Sequence, residues 1–152
     1  MTHLKVGDMA PDFSGLDAEG NNINSNDFLG KKIVLYFYPK DDTPGCTAEA
    51  CSFRDNYSAL QKAGLIIIGV SPDSVKKHSN FTEKYNLPFP LIADVDLKII
   101  KSYGVWGIKK MYGKEYEGVY RETFIIDEIG KIHAIINKVK TKESAEQIIS
   151  LI

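Results

Sequence analysis

Two continuous apolar runs, Ile33 to Tyr38 and Leu65 to Val70, stand on either side of a helical pattern that extends from about Pro44 to Ala63. Neither run alternates apolar with polar residues, so each reads as a strand covered on both faces. Gly64 follows the helical stretch, where a residue at ease in the left-handed region ends a helix well. Strand, helix, strand at this spacing is a parallel βαβ unit, because parallel neighbours need a long crossover and a helix supplies it. Such a unit demands an α/β architecture around a buried sheet. The 152 residues suffice for one domain, and 43% apolar with 26% charged residues is ordinary for a globular chain.

The remaining segments are arranged around that unit. Residues 1 to 28 are irregular or weakly β, with a short hairpin about Ala18 to Asn21 that decorates the main sheet. After Ser71 and Pro72, a helix is predicted from about Ser74 to Tyr85, broken by Asn86 to Pro90. Leu91 to Ala93 forms a short strand, Lys98 to Tyr103 is helical and stops at Gly104, and the glycine- and lysine-rich stretch from Gly104 to Gly118 reads as a loop. Two antiparallel strands follow, Tyr120 to Ile126 and Lys131 to Ile136, about a turn at Asp127 to Gly130. Thr141 to Ile152 closes the chain as an amphipathic helix with Ala145, Ile148, Ile149 and Ile152 on one side. No linker, repeat or low-complexity tract interrupts the chain, so residues 1–152 read as one domain.

Nineteen basic against twenty acidic residues leave a net charge of −1, and no basic face is evident, which argues against nucleic acid as a partner. No apolar run approaches the ~20 residues that a membrane helix needs. The start of the chain lacks the apolar stretch of a signal peptide, so a cytoplasmic location is expected. In that reducing compartment a closely spaced cysteine pair is more often catalytic or redox-sensing than structural.

Both cysteines lie between Pro39 and Cys51, where the first apolar run gives way to the helix. Thr43 is a good N-cap, and Pro44 suits the first helical position because its missing N–H has no partner there anyway. Cys46 then falls in the first turn, near unpaired backbone N–H groups and the positive end of the helix dipole. A thiolate is stabilised in such a place, and the thiolate is the nucleophile. Cys46, Ala50, Phe53, Tyr57 and Leu60 share one helical face, while Thr47, Cys51, Arg54, Asp55, Ser58 and Lys62 make a mostly polar one. Five residues along a helix separate Cα atoms by roughly 8–9 Å, beyond the ~7 Å limit of a disulfide. Cys46 and Cys51 can therefore bond only if the first turns unwind.

The run Pro39-x-x-x-Thr43-x-x-Cys46 resembles the active-site signature of the peroxiredoxins, the thiol peroxidases. Cys51, five residues on, is similar to the resolving cysteine of the peroxiredoxin Q group, also called bacterioferritin comigratory protein. The resemblance extends from Gly7 to Phe13 through to the final helix, and Trp106 looks like a feature of the same group. It implies a thioredoxin-like α/β fold with a mixed central sheet flanked by helices and an N-terminal β-hairpin. It further implies that Cys46 attacks hydrogen peroxide or an organic hydroperoxide, that Pro39, Thr43 and a distant arginine shape the pocket, and that an intramolecular Cys46–Cys51 disulfide is recycled by thioredoxin or a similar dithiol. Arg121 is the residue matching that arginine. No cofactor or metal is implied, and a monomer or weak dimer is expected.

From the residues alone, blander readings stand beside these. Cys46 can be a small core residue, Cys51 a bystander thiol, Pro39 a strand terminator and Thr43 only a cap. Arg121, on a strand face with Val119, Thr123 and Ile125, needs either solvent or an anion. Arg54 competes for the same role but sits on the polar helix side. His3, His78 and His133 have no partners at ligand spacing, so zinc is not expected. Asp94 and Asp96 read as a cap for the next helix. A thiol–disulfide oxidoreductase of the Cys-x-x-Cys kind and a peroxide-sensing switch are the competing functions.

Overall fold

The computed structural model describes residues 2–152. Its centre is β3 (Lys32–Phe37), which runs parallel to β4 (Leu65–Ser71) with Tyr36 opposite Gly69, and antiparallel to β8 (Glu122–Ile126). The period-2 geometry of a strand sends successive side chains to opposite faces. Val34, Tyr36 and Tyr38 thus enter one core with Cys46, Ala50, Phe53, Phe81, Ala145 and Ile148. Ile33, Leu35 and Phe37 enter a second core with Ile68, Val70, Ile92, Ile99, Ile100 and Tyr103. Covering both faces is what the unbroken apolar runs anticipate. Each fully buried side chain of this size contributes about 1.5–3 kcal/mol.

The strands lie in the order β2 (Asn22–Asn24), β1 (Ser14–Leu16), β5 (Leu91–Ala93), β4, β3, β8 and β9 (Ile132–Ile136) in a mixed seven-stranded sheet. β1 and β2 form the N-terminal hairpin, joined to β5 by the pairing of Leu16 with Ala93. β9 forms the other edge. The helices between β3 and β4 are α1 (Pro44–Asp55) and α2 (Tyr57–Lys62), and α3 (Val75–Tyr85) joins β4 to β5. On the opposite layer α4 (Lys98–Ser102) contributes Ile99 and Ile100 to the second core. Asp94 accepts hydrogen bonds from Ile99 N and Ile100 N at 3.2 and 2.8 Å, the capping role expected of it. This is the mixed central sheet flanked by helices, with an N-terminal hairpin, that the sequence implied.

Three segments depart from expectation. The helix predicted from Pro44 to Ala63 is interrupted at Asn56, whose backbone leaves helical geometry (φ −111°, ψ 14°) while its side-chain amide donates to Ser52 O at 2.8 Å. Asparagine competes for backbone acceptors in this way, and the apolar pattern continues through the break. The predicted loop from Gly104 to Gly118 is instead a hairpin, β6 (Trp106–Met111) and β7 (Lys114–Val119), turning at Tyr112 and Gly113 with φ 52° and 77°. Two consecutive positive φ values match a two-residue primed turn. The hairpin is exposed over most of its length, so no apolar alternation marks it in the sequence. The last segment is a short 3-10 turn followed by α5 (Ser144–Ile149), and only Ala145 and Ile148 of the predicted apolar face are buried. Ile149 and Ile152 are exposed, because so short a helix offers α1 one narrow stripe.

Candidate active site

α1 begins where β3 runs out. Tyr38 N donates to Val70 O at 3.1 Å, and Pro39, which has no N–H, follows as the pairing ends. The chain then passes through Lys40, Asp41 and Asp42 to Thr43, which takes the extended N-cap geometry (φ −97°, ψ 158°) with Pro44 at the first helical position. Thr43 O accepts the first helical bond from Thr47 N at 2.8 Å. Its hydroxyl, however, does not cap the helix. It donates to Lys40 O at 2.8 Å, closing the loop onto itself. The N–H groups of Gly45 and Cys46 belong to the first turn and have no carbonyl behind them in the helix.

Cys46 lies on the buried face of α1, 1% exposed. Arg121 reaches it from the junction between β7 and β8, its Nη2 donating to Cys46 Sγ at 3.3 Å. The strand predicted from Tyr120 therefore starts two residues later, at Glu122, and Arg121 sits at its threshold where its side chain can cross to α1. Gly45 permits this approach, since a Cβ there would lie 3.2 Å from Arg121 Nη2. Arg54, the other candidate, is turned away and donates to Tyr85 O at 2.8 Å and to Asp55 Oδ1 at 2.9 Å. Cys51 occupies a half-buried position farther along α1, and both cysteines are free thiols.

Glu49 belongs to the site and was not anticipated. It is fully buried, accepts from Arg121 Nη1 at 2.9 Å, and lies 3.5 Å from Ser144 Oγ of α5. Burial pushes its carboxyl up to about 7, with Arg121 and Ser144 pulling the other way. Burial pulls the Arg121 guanidinium down, but the charges of Cys46 and Glu49 outweigh it and the net direction is upward. One guanidinium thus holds the sulfur and orients itself on a buried carboxyl, the two-pronged geometry that suits arginine and not lysine. The spacing of three residues from Cys46 to Glu49 is the available signal, because it puts both on one helical face.

Beside Arg121 a cleft of about 440 Å³ is lined by Lys109, Tyr120, Glu122, Asn137, Lys138 and Val139. Lys109 comes from the unforeseen hairpin and donates to Val119 O at 3.0 Å. Burial, followed by the neighbouring Arg121 charge, pulls its amine below the usual lysine range. Trp106, at the base of the hairpin, donates to Glu117 Oε2 at 2.9 Å. The fold gives one histidine two carboxylate neighbours, one of them distant in sequence. Asp41 and Asp73 gather around His78, with His78 Nδ1 2.6 Å from Asp41 Oδ2. Among the described residues, no helix is long and apolar enough to cross a membrane.

The chain is similar to known proteins over nearly its whole length. Residues 6–135 match the AhpC/TSA family. The chain is 49% identical over 146 residues to a putative peroxiredoxin bcp of Coxiella burnetii, spanning 96% of this chain and 97% of that protein. It is 48% identical over 140 residues to peroxiredoxin Bcp of Bacillus subtilis, spanning 92% and 89%. Among solved structures, peroxiredoxin Q of Xanthomonas campestris superposes with a TM-score of 0.87 at 36% identity over 98% of this chain and 94% of that one. A PrxQ mutant from Xylella fastidiosa superposes with a TM-score of 0.92 at 30% identity over 99% and 96%. The chain belongs to the AhpC/TSA family, in its Bcp and peroxiredoxin Q group, and is a peroxiredoxin, a thiol peroxidase.

Proposed function

We propose that Cys46 is the peroxidatic cysteine and Cys51 the resolving one, with Arg121, Thr43 and Pro39 shaping the peroxide site. The observation that carries this reading is the 3.3 Å contact of Arg121 Nη2 with Cys46 Sγ in the first turn of α1, where a cation and the positive end of the helix dipole both face the sulfur. The thiolate attacks one peroxide oxygen and the O–O bond breaks. The departing oxygen takes a proton and leaves as water or an alcohol, while Arg121, Thr43 and the free N–H groups of the first turn stabilise the developing charge. Cys46 becomes a sulfenic acid. α1 then unwinds, the Cys51 thiol condenses with the sulfenic acid, and water is released as the disulfide forms. An external dithiol, in our reading thioredoxin, reduces that disulfide by exchange and is itself oxidised.

Hydrogen peroxide and organic hydroperoxides are the proposed substrates. Alkyl peroxide reduction is described for the Xanthomonas campestris bacterioferritin comigratory protein, 35% identical to this chain. A reducing compartment such as the cytoplasm suits the cycle, since it returns the pair to dithiols. Residues 1–152 are read as one domain acting as a monomer or weak dimer.

Intact mass after one equivalent of hydrogen peroxide tests the assignment. The native protein is expected to lose two hydrogens at unchanged oligomeric state, while Cys51→Ser gains one trappable oxygen on Cys46. An unreactive native protein, or oxidation that starts at Cys51, refutes it. Catalytic turnover with a dithiol reductant separates an enzyme from a switch that consumes a single equivalent.

A further inference from the structure

The loop that carries Thr43 is anchored from outside α1. Asp41 N donates to Asp73 Oδ2 at 2.8 Å, and Asp73 is held in turn by Ser71 Oγ at 2.7 Å. The Asp41 carboxylate accepts from Tyr38 Oη at 2.6 Å and meets His78 Nδ1 at 2.6 Å. The next residue, Asp42, is held in the left-handed region (φ 58°) and accepts from Lys84 Nζ and Tyr85 Oη, each at 2.7 Å. His78, Lys84 and Tyr85 all belong to α3. A single helix therefore grips two successive residues of the loop.

His78 is the buried jaw of that grip, with 0% exposure against 9% for Asp41 and 7% for Asp73. Its Nε2–H donates to Ile92 O at 3.0 Å, and its Nδ1 faces a carboxylate oxygen. The ring is a strut from β5 to the loop. Although Asp41, Asp73 and His78 could in principle gather a cation, their facing atoms already have hydrogen-bond partners, and Lys77 Nζ stands 3.9 Å from Asp73 Oδ1. The cluster is closed as a hydrogen-bond network.

None of these contacts involves α1. That helix is held mainly by another set, Arg121 on Cys46 and Glu49 and Ala145 N donating to Ser52 Oγ at 3.0 Å, with one link to α3 near its far end, where Arg54 donates to Tyr85 O at 2.8 Å. The loop thus hangs on α3 and β5, whereas the first turns of α1 hang on Arg121 and α5. We propose that His78 is a positioning residue for the peroxide reaction, acting through Asp41 to clamp the Pro39–Thr43 loop to α3 and β5 so that it keeps its place while α1 unwinds and refolds. The inference rests on the reading that Cys46 and Thr43 act on peroxide. A displacement of about 1 Å at such a site costs on the order of 10²-fold in rate.

The test compares two reactions of Cys46 in the full-length protein. Oxidation by hydrogen peroxide needs the loop, whereas alkylation by iodoacetamide needs only the thiolate. His78→Asn is expected to slow oxidation at least tenfold and to leave alkylation within twofold. Asp41→Asn is expected to do the same, and the double variant to be no slower than the slower single one. Oxidation within twofold of wild type, equal loss in both reactions, or additive losses in the double variant overturns the proposal. Should His78→Asn not fold, Lys84→Met with Tyr85→Phe releases the other jaw at partly exposed positions. It is expected to slow oxidation alone by threefold or more, and an unchanged rate again overturns the clamp. A wild-type protein whose Cys46 ignores peroxide refutes the functional reading itself, while a reactive wild type with unaffected variants refutes only the clamp.

Discussion

At Glu49 a carboxyl is buried near Cys46, and the Arg121 guanidinium bridges the two. Burial raises the Glu49 carboxyl from the ordinary 4.5 to about 7, so the folded chain binds this proton more tightly than the unfolded chain does. The stability it contributes is full below pH ~4.5 and is lost as pH rises through about 7. At about 1.36 kcal/mol per pH unit, the loss between pH 5 and 8 is at most about 3 kcal/mol. Glu49→Gln cannot ionise and is expected to flatten that decline in urea denaturation at pH 5, 7 and 8; parallel pH profiles for the two proteins would sink the argument. Arg121→Lys is expected to lower the rate of Cys46 oxidation by about 10²-fold in stopped flow, because a point charge cannot bridge Sγ and Oε1 together. A rate within threefold of wild type would show that the bridge is dispensable. Cys46 and the Thr43–Pro44 helix start were legible in the sequence because capping acts within a few residues. Arg121, 75 residues from Cys46, was reached only through the family resemblance.

The elements differ in how plainly they announce themselves. β3, α1 and β4 are dictated by burial on both strand faces and by one apolar helix stripe, and all three appear near their predicted positions. The β6–β7 hairpin went unseen because most of its side chains meet water, so strand pairing and not patterning holds it together. Gly107 has a packing reason to be glycine, for a Cβ there would overlap the Tyr120 ring. α1 and α5 meet through Ser52 Oγ, which accepts from Ala145 N in a buried setting. Ser52→Ala leaves that N–H without a partner, at a cost of about 1–3 kcal/mol. The melting temperature is expected to fall by roughly 2–4 °C per kcal/mol, and the Cys46–Cys51 disulfide to form faster after oxidation, since α1 is then easier to unwind. An unchanged melting temperature in calorimetry would contradict this.

For the whole molecule, the sheet divides two cores, and the site lies at the edge of the one that α1, α3 and α5 cover. The packing there is tight. A Cβ at Gly69 would lie 2.7 Å from Leu91 Cδ2 and 2.8 Å from Tyr36 Cζ. Gly69→Ala is therefore expected to cost about 1–3 kcal/mol through overpacking, read as a lower urea midpoint, and a neutral result would mean that the core yields more than its geometry suggests. Because that core backs α1 with residues from both β3 and α5, unwinding the helix need not dismantle the sheet. By itself the sequence determined the βαβ unit and the helix start that holds Cys46, through periodicity and capping that operate over a few residues, while the rest of the fold was implied by the family resemblance. Only the tertiary structure decided that Arg121 bridges the Cys46 sulfur and Glu49, that His78 meets Asp41 across 37 positions, and that a hairpin brings Lys109 to the cleft. Those partners are chosen by packing between distant segments, and separation along the chain carries no record of it.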